Sequence, residues 1–163
     1  MIIEIVGLYA NLKFSSAHIV FGHRTCGVIH GHTYYVDIKV CGDKGEFNFV
    51  CDFKIIKEIV KEICKKIDHK LILPRDHKDV YYELRDKALY FKYKNKEYII
   101  PVEDVILLPI ETTSAEDLAK FFAEEIISRL KEKYKNVYWI EVAISEGLGQ
   151  KAIYKLEVKH CKE

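Results

Sequence analysis

The stretch His30-Gly31-His32-Thr33-Tyr34-Tyr35-Val36-Asp37-Ile38-Lys39-Val40-Cys41 alternates from end to end. In an extended chain successive side chains point to opposite faces, so His30, His32, Tyr34, Val36, Ile38 and Val40 share one face, and Thr33, Asp37 and Lys39 take the other. The pattern predicts a strand with one face in a core, and it puts two histidines on that core face.

Upstream, from Ile2 to His18, the residues Val6, Leu8, Leu12, Phe14 and His18 have one parity, which predicts a neighbouring strand with His18 pointing inward at its end. VFGHRTCG, Val20 to Gly27, joins the two strands and holds His23, Arg24 and Cys26. Downstream, Asp52 suits the N-cap of FKIIKEIVKEICKKI, where Phe53, Ile56, Ile59, Val60, Ile63 and Ile67 recur at helical steps. Ser114 suits the cap of a second helix, with Asp117 three residues on, a stripe of Leu118, Phe121, Phe122, Ile126 and Leu130, and an end near Tyr134. Tyr138, Ile140, Val142 and Ile144 then alternate, as do Ala152, Tyr154, Leu156 and Val158 beyond GLGQ, which predicts a closing hairpin.

Residues 74–110 interrupt this plan, and ALYFKYKNKEYIIP reads as a small hairpin turning at Asn95-Lys96. The expectation is one α+β domain over residues 1–163: an antiparallel four-stranded sheet with two helices on one face, in the order strand-strand-helix-helix-strand-strand, with an insertion at about 74–110.

With 49% hydrophobic residues, the 163-residue chain can bury a core of that size. Twenty-six basic against 25 acidic residues leave a net charge of +1, so composition gives no general pull toward nucleic acid or membrane. No run approaches the roughly 20 apolar residues of a membrane span, and MIIEIVGLYANLKF lacks the pattern of a signal peptide. Cysteines 26, 41, 51, 64 and 161 are odd in number and contain no CxxC, which predicts neither a disulfide framework nor a cysteine zinc clip and fits a reducing cytoplasm.

Two histidines two positions apart on a strand have backbones about 6 to 7 Å apart, within reach of one ion. His18 adds a third inward imidazole, and three neutral imidazoles leave a tetrahedral zinc one open position for water or substrate. The competing reading is a satisfied core histidine beside two strand histidines. Cys26, in a loop four residues before His30, is a candidate thiolate base or nucleophile, whereas the other cysteines read as inert. Asp68-His69 is either an acid–imidazole pair for proton transfer or a histidine meeting a helix C-terminus. Glu146 continues the parity of Ile144, so a carboxylate ends an apolar face, either as a turn residue or as a bidentate acceptor for the guanidine-like edge of a heterocycle. His77 and His160 show no partner and read as surface residues.

Taken together, FSSAH ending at His18, CGVIHGH at 26–32, CDF at 51–53, IDH ending at His69, SAEDLA after Thr113 and the SEG around Glu146 resemble the 6-pyruvoyl tetrahydropterin synthase superfamily. Within it the chain is most similar to the bacterial and archaeal 6-carboxy-tetrahydropterin synthases. The resemblance implies the tunnelling fold, zinc held by His18, His30 and His32, Cys26 as catalytic thiol, and Asp68 and His69 as its proton relay. It implies Glu146 as the pterin anchor, with Thr113 and Ser114 in the stretch of further pterin contacts. It also implies a homo-oligomer, commonly a hexamer, with active sites at subunit interfaces. The expected reaction converts 7,8-dihydroneopterin triphosphate into 6-carboxy-5,6,7,8-tetrahydropterin, releasing acetaldehyde and triphosphate, on the route to 7-deazaguanine nucleosides. Three residues separate Cys26 from the HGH, as in the 6-carboxy branch, and no acid stands at Val28 or Ile29, where a branch that cleaves the dihydroneopterin side chain uses a glutamate. The alternatives are a sister synthase or cleavage enzyme, and a zinc-containing pterin-binding protein without turnover.

Overall fold

In the computed structural model, which describes residues 1–158, the expected N-terminal strand is interrupted. Ile2–Ile5 (β1) is extended, Gly7–Ala10 (α1) closes one helical turn, and Lys13–His18 (β2) resumes the strand before His30–Gly42 (β3). β1 and β2 nevertheless lie along the same edge of β3, antiparallel to it, with Ile5 opposite Ile38 and Lys13 opposite Tyr35. Two residues explain the break. Gly7 crosses Val36 so closely that a Cβ would stand 2.4 Å from the Val36 carbonyl oxygen, and Asn11 ends the turn in the left-handed region at φ 55°. Val6 and Leu8 are therefore exposed, whereas Leu12 and Phe14 are buried as their parity requires.

Phe53–Ile67 (α2) follows, its N-terminus held by the Asp52 carboxylate, which accepts the Lys54 N–H at 2.7 Å. Its buried stripe is Ile56, Val60, Ile63 and Ile67, and Phe53, expected in that stripe, is exposed instead. Leu71–Pro74 (β4) comes next. Val80–Arg85 (β5), Ala88–Tyr93 (β6) and Lys96–Pro101 (β7) then form a sheet of their own, before Val105–Leu108 (β8). Ala115–Lys133 (α3) is capped by Ser114 Oγ, which accepts the Asp117 N–H at 3.3 Å, and Val137–Glu146 (β9) and Lys151–Glu157 (β10) close the chain as a hairpin.

The main sheet has seven strands, ordered β10-β9-β3-β2-β4-β8 with β1 also on β3, rather than four. β4 and β8 are the additions: they pair in parallel with each other, and β4 pairs in parallel with β2. The segment between them is a three-stranded antiparallel sheet rather than a hairpin, and its second turn falls at Lys94–Asn95, where Lys94 has φ 54°. α2 and α3 pack on one face of the main sheet, as expected. Their stripes meet Tyr34, Val36, Ile38 and Val40 of β3 and Ile140, Val142 and Ile144 of β9 in one core, where a fully buried aliphatic side chain contributes about 1.5–3 kcal/mol. A smaller core joins Ile19, Leu71 and Leu73 to Leu89 and Phe91 of the inserted sheet. His160 and Cys161 lie outside the described residues.

Candidate metal centre and its surroundings

β2 ends with His18 directly opposite His30, and His32 is two residues further along β3 on the same face. The register therefore brings all three imidazoles together, their ligand atoms within 4.8 Å of one another. Two backbone carbonyls fix the rings: Thr113 O accepts from His18 Nδ1 at 2.8 Å, and Val28 O accepts from His30 Nδ1 at 2.8 Å. A carbonyl oxygen only accepts, so each of these Nδ1 atoms carries a proton, which leaves Nε2 as the ligand atom of each ring. Those two Nε2 atoms face each other at 3.0 Å. At that range two lone pairs repel unless a proton or a metal cation lies between them. Burial, with a further push from the charges of His30 and His32, lowers the His18 pKa to about 4 against the raising effect of the Thr113 carbonyl, so His18 is neutral at physiological pH. Clustered imidazoles with rings held by outer hydrogen bonds, as in His18 and His30, are a donor set that zinc takes, and the three residues fit such an ion.

Glu146, at the end of β9 and opposite Tyr34, places its carboxylate oxygens 3.9 Å from His18 Nε2 and 4.0 Å from His32 Nε2. It also lines a cavity of about 280 Å³ with Ser114, Glu116, Gln150 and Lys151, so one carboxylate faces both the imidazoles and an open space. Ser114 reaches this cavity as the cap of α3. Thr113 is fully buried: its hydroxyl donates to Ile19 O at 2.8 Å, and its carbonyl orients His18. The Tyr34 hydroxyl is buried beside the cluster with no hydrogen-bond partner among the described residues, and burial, then Glu146, push its pKa up.

Cys26 is not a member of the three-imidazole cluster. Its N–H donates to His23 Nδ1 at 3.0 Å, and its sulfur is 3.7 Å from Thr25 Oγ1. Asp68 caps the end of α2, where Oδ1 accepts the Ser15 N–H at 2.7 Å and Oδ2 lies 2.9 Å from His69 Nδ1. Burial pushes the Asp68 pKa up, but the bonds from Ser15 and His69 outweigh it and hold the carboxyl below its ordinary range. The His69 side chain is 83% exposed and shares a groove of about 500 Å³ with His32 and Thr33. Among the described residues, no hydrogen bond or ion pair joins Cys26 to Asp68 or His69. Sequence reading named the three histidines and Glu146, which converge, but missed the carbonyls of Thr113 and Val28 because a backbone acceptor leaves no residue-type signal. His77, read as a partnerless surface residue, packs its ring 5.5 Å from Phe21 and 5.8 Å from Tyr93.

Three imidazoles brought together at strand ends, two of them oriented by backbone carbonyls, with a carboxylate beside an adjacent cavity, make a metal-capable site that opens onto space for a small molecule. The chain belongs to the 6-pyruvoyl tetrahydropterin synthase family, whose sequence profile matches residues 7–157. It is a tetrahydropterin synthase of lyase type, and its fold is the tunnelling fold. A Methanocaldococcus jannaschii protein that carries the provisional name 6-carboxy-5,6,7,8-tetrahydropterin synthase is 69% identical over 163 residues, covering 98% of this chain and 100% of that one. The Aquifex aeolicus 6-carboxy-5,6,7,8-tetrahydropterin synthase is 36% identical over 136 residues, 81% of this chain and 76% of that one. A Plasmodium vivax 6-pyruvoyltetrahydropterin synthase, solved with a catalytic glutamate replaced by alanine, superposes with a TM-score of 0.88 at 26% identity, covering 97% of this chain and 98% of that one. No helix among the described residues is long and apolar enough to cross a membrane.

Proposed function

We propose that the chain converts 7,8-dihydroneopterin triphosphate and water into 6-carboxy-5,6,7,8-tetrahydropterin, acetaldehyde and triphosphate, in 7-deazaguanine precursor synthesis. The observation that carries this reading is the convergence of His18, His30, His32 and Glu146, together with a thiol separated by three residues from the HGH. The three imidazoles would hold zinc, which when bound supplies the charge that makes hydrogens beside the substrate's side-chain oxygens acidic.

Glu146 accepts hydrogen bonds from the pterin's amino and ring N–H groups, and Ser114 lines the same cavity. Thr113 contributes through its carbonyl, which keeps His18 in the ligating tautomer. The Cys26 thiolate takes and returns protons at the substrate side chain. Asp68 keeps the proton on His69 Nδ1, leaving Nε2 free to accept one from the thiol. Among the described residues no hydrogen bond or ion pair joins either of them to Cys26, so in this reading the relay reaches the thiol across a subunit interface of a homo-oligomer, expected to be a hexamer.

The test is product analysis after incubating the zinc-loaded protein with 7,8-dihydroneopterin triphosphate. Acetaldehyde and 6-carboxytetrahydropterin in equal amounts support the reading. A 6-pyruvoyl product, or glycolaldehyde-type cleavage of dihydroneopterin, would assign the chain to a sister activity. The Plasmodium relative acts with a catalytic glutamate, and the segment from Thr25 to Gly31 holds no acid here, which favours thiol chemistry.

A further inference from the structure

The loop from Ile19 to Ile29 carries the thiol between two strands, and it is wound by few bonds of its own. Val20 N–H donates to Cys26 O at 2.9 Å, His23 N–H to Val20 O at 3.0 Å, and Cys26 N–H to His23 Nδ1 at 3.0 Å. The winding is tight: Gly22 has φ 85°, and a Cβ on Gly27 would lie 2.5 Å from the His23 carbonyl oxygen. A surface loop held only by such local bonds opens easily, whereas a catalytic group has to stay within a fraction of an ångström of its working position.

The inserted sheet touches this loop on both sides of Cys26. Before the thiol, the Phe21 ring lies 5.0 Å from Tyr93, 5.5 Å from His77 and 6.3 Å from Phe91. The Tyr93 hydroxyl approaches the loop backbone so closely that a Cβ on Gly22 would be 3.0 Å away. After the thiol, Lys96 at the start of β7 donates from Nζ to Gly27 O at 3.2 Å. One β-turn, Tyr93 to Lys96, therefore meets the loop at Gly22 and again at Gly27. The second contact is one residue from Cys26 and one residue from Val28, whose carbonyl orients the metal-facing ring of His30.

We propose that the inserted three-stranded sheet is a clamp on the Cys26 loop, with Lys96 and Tyr93 as positioning residues for the thiol. The proposal rests on the reading of Cys26 as the catalytic thiol. It gives the insertion a task in the reaction: the sheet, anchored by Leu89 and Phe91 on Ile19, Leu71 and Leu73, transmits the rigidity of the main sheet to a loop that lacks it. The clamp acts on the position of Cys26 and leaves substrate binding to Glu146 and the adjoining cavity.

The test uses the zinc-loaded full-length protein and compares Lys96→Met, Lys96→Arg, Tyr93→Ala and, as a control on the same hairpin, Lys92→Met, whose lysine pairs with Glu97. Lys96→Met is expected to lower kcat about tenfold with KM almost unchanged, as displacement of a reacting group does. It should also speed backbone hydrogen exchange over residues 20–29 and change the rate at which iodoacetamide modifies Cys26, read by peptide mass spectrometry. Lys96→Arg should restore all three readouts, Lys92→Met should leave them as in the parent, and Tyr93→Ala should give the largest exchange effect. Unchanged exchange and kcat in Lys96→Met would overturn the clamp. So would faster exchange spread over residues 80–101 without a preference for 20–29, since Lys96 would then support only its own sheet. Cys26→Ala separates the two readings: if that variant keeps turnover while Lys96→Met still loosens the loop, the catalytic assignment falls and the clamp stands as a loop anchor.

Discussion

His18, His30 and His32 stand on paired strands, with His18 buried to 1% exposure and two of the rings tied to backbone carbonyls; Cys26 and the Asp68–His69 pair stand on a loop and a helix end, and the His69 side chain is 83% exposed. The first group is complete within one chain. In the second, no hydrogen bond or ion pair among the described residues links Cys26 to the Asp68–His69 pair, although these are the groups chemistry would ask to exchange protons. Metal holding needs fixed, neutral, desolvated donors, which a sheet supplies through its register. Proton transfer needs groups that a solvent or a second subunit can reach, and those sit where the chain turns.

Breaking the first region should have the largest effect. His18→Ala removes a ligand that the Thr113 carbonyl holds in place, so bound zinc should fall from about one per chain to none by elemental analysis, with turnover lost. Retention of full zinc by this variant would show that the three imidazoles are not the ligand set. Cys26→Ala tests the second region: zinc content should hold while kcat falls about 10²–10⁴-fold, the range of acid–base and thiol contributions. Mixing Cys26→Ala with His69→Ala chains should then restore part of the activity if the relay crosses between subunits, and no recovery would place the relay elsewhere.

Acid should also divide the regions. His18 has a folded pKa of about 4 against an ordinary 6.5, so the unfolded chain takes up the proton first as pH falls. Stability of the metal-free protein is then full above pH 6.5 and declines by about 3 kcal/mol down to pH 4, measurable by denaturant melts at a series of pH values. Asp68, whose folded pKa is depressed, adds stability that persists above the ordinary carboxylate range and is lost only in stronger acid. A flat melt profile between pH 6.5 and 4 would mean that His18 is hydrated rather than buried. The smallest effect is expected from Glu146→Gln, which keeps the shape and removes the charge: kcat/KM should fall about tenfold, mainly through KM, with zinc retained. A loss of zinc in that variant would make Glu146 a ligand rather than a pterin acceptor.

Much of this was legible in the chain. The alternation from His30 to Val40 and, apart from the exposed Phe53, the stripes after Asp52 and Ser114 read correctly because one face of each is dry and the other wet. The N-terminal strand misled because Val6, Leu8, Leu12 and Phe14 keep one parity across a helical turn, and only Gly7 and Asn11 carried the warning. β4 was missed because LILP is four residues long and buried at every position, which leaves no alternation to read. Of the site, the side chains were visible and their carbonyl partners were not. That no hydrogen bond or ion pair joins Cys26 to Asp68 or His69 among the described residues was equally hidden, since spacing along the sequence says nothing about which loop ends meet.

β3 alone pairs with β1, β2 and β9, and His18 and Glu146 are set by their register against His30 and Tyr34. It works like the fixed scale of a vernier. A deletion in β2 or β9 would displace one ligand or one carboxylate, but loss of Thr33 would turn His30 and His32 to the wet face together. Length variation in this protein should therefore be tolerated in the first turn of the inserted sheet, at Asp86 and Lys87, and be fatal within the first five residues of β3, and a library of one-residue deletions scored for zinc retention would trace that boundary.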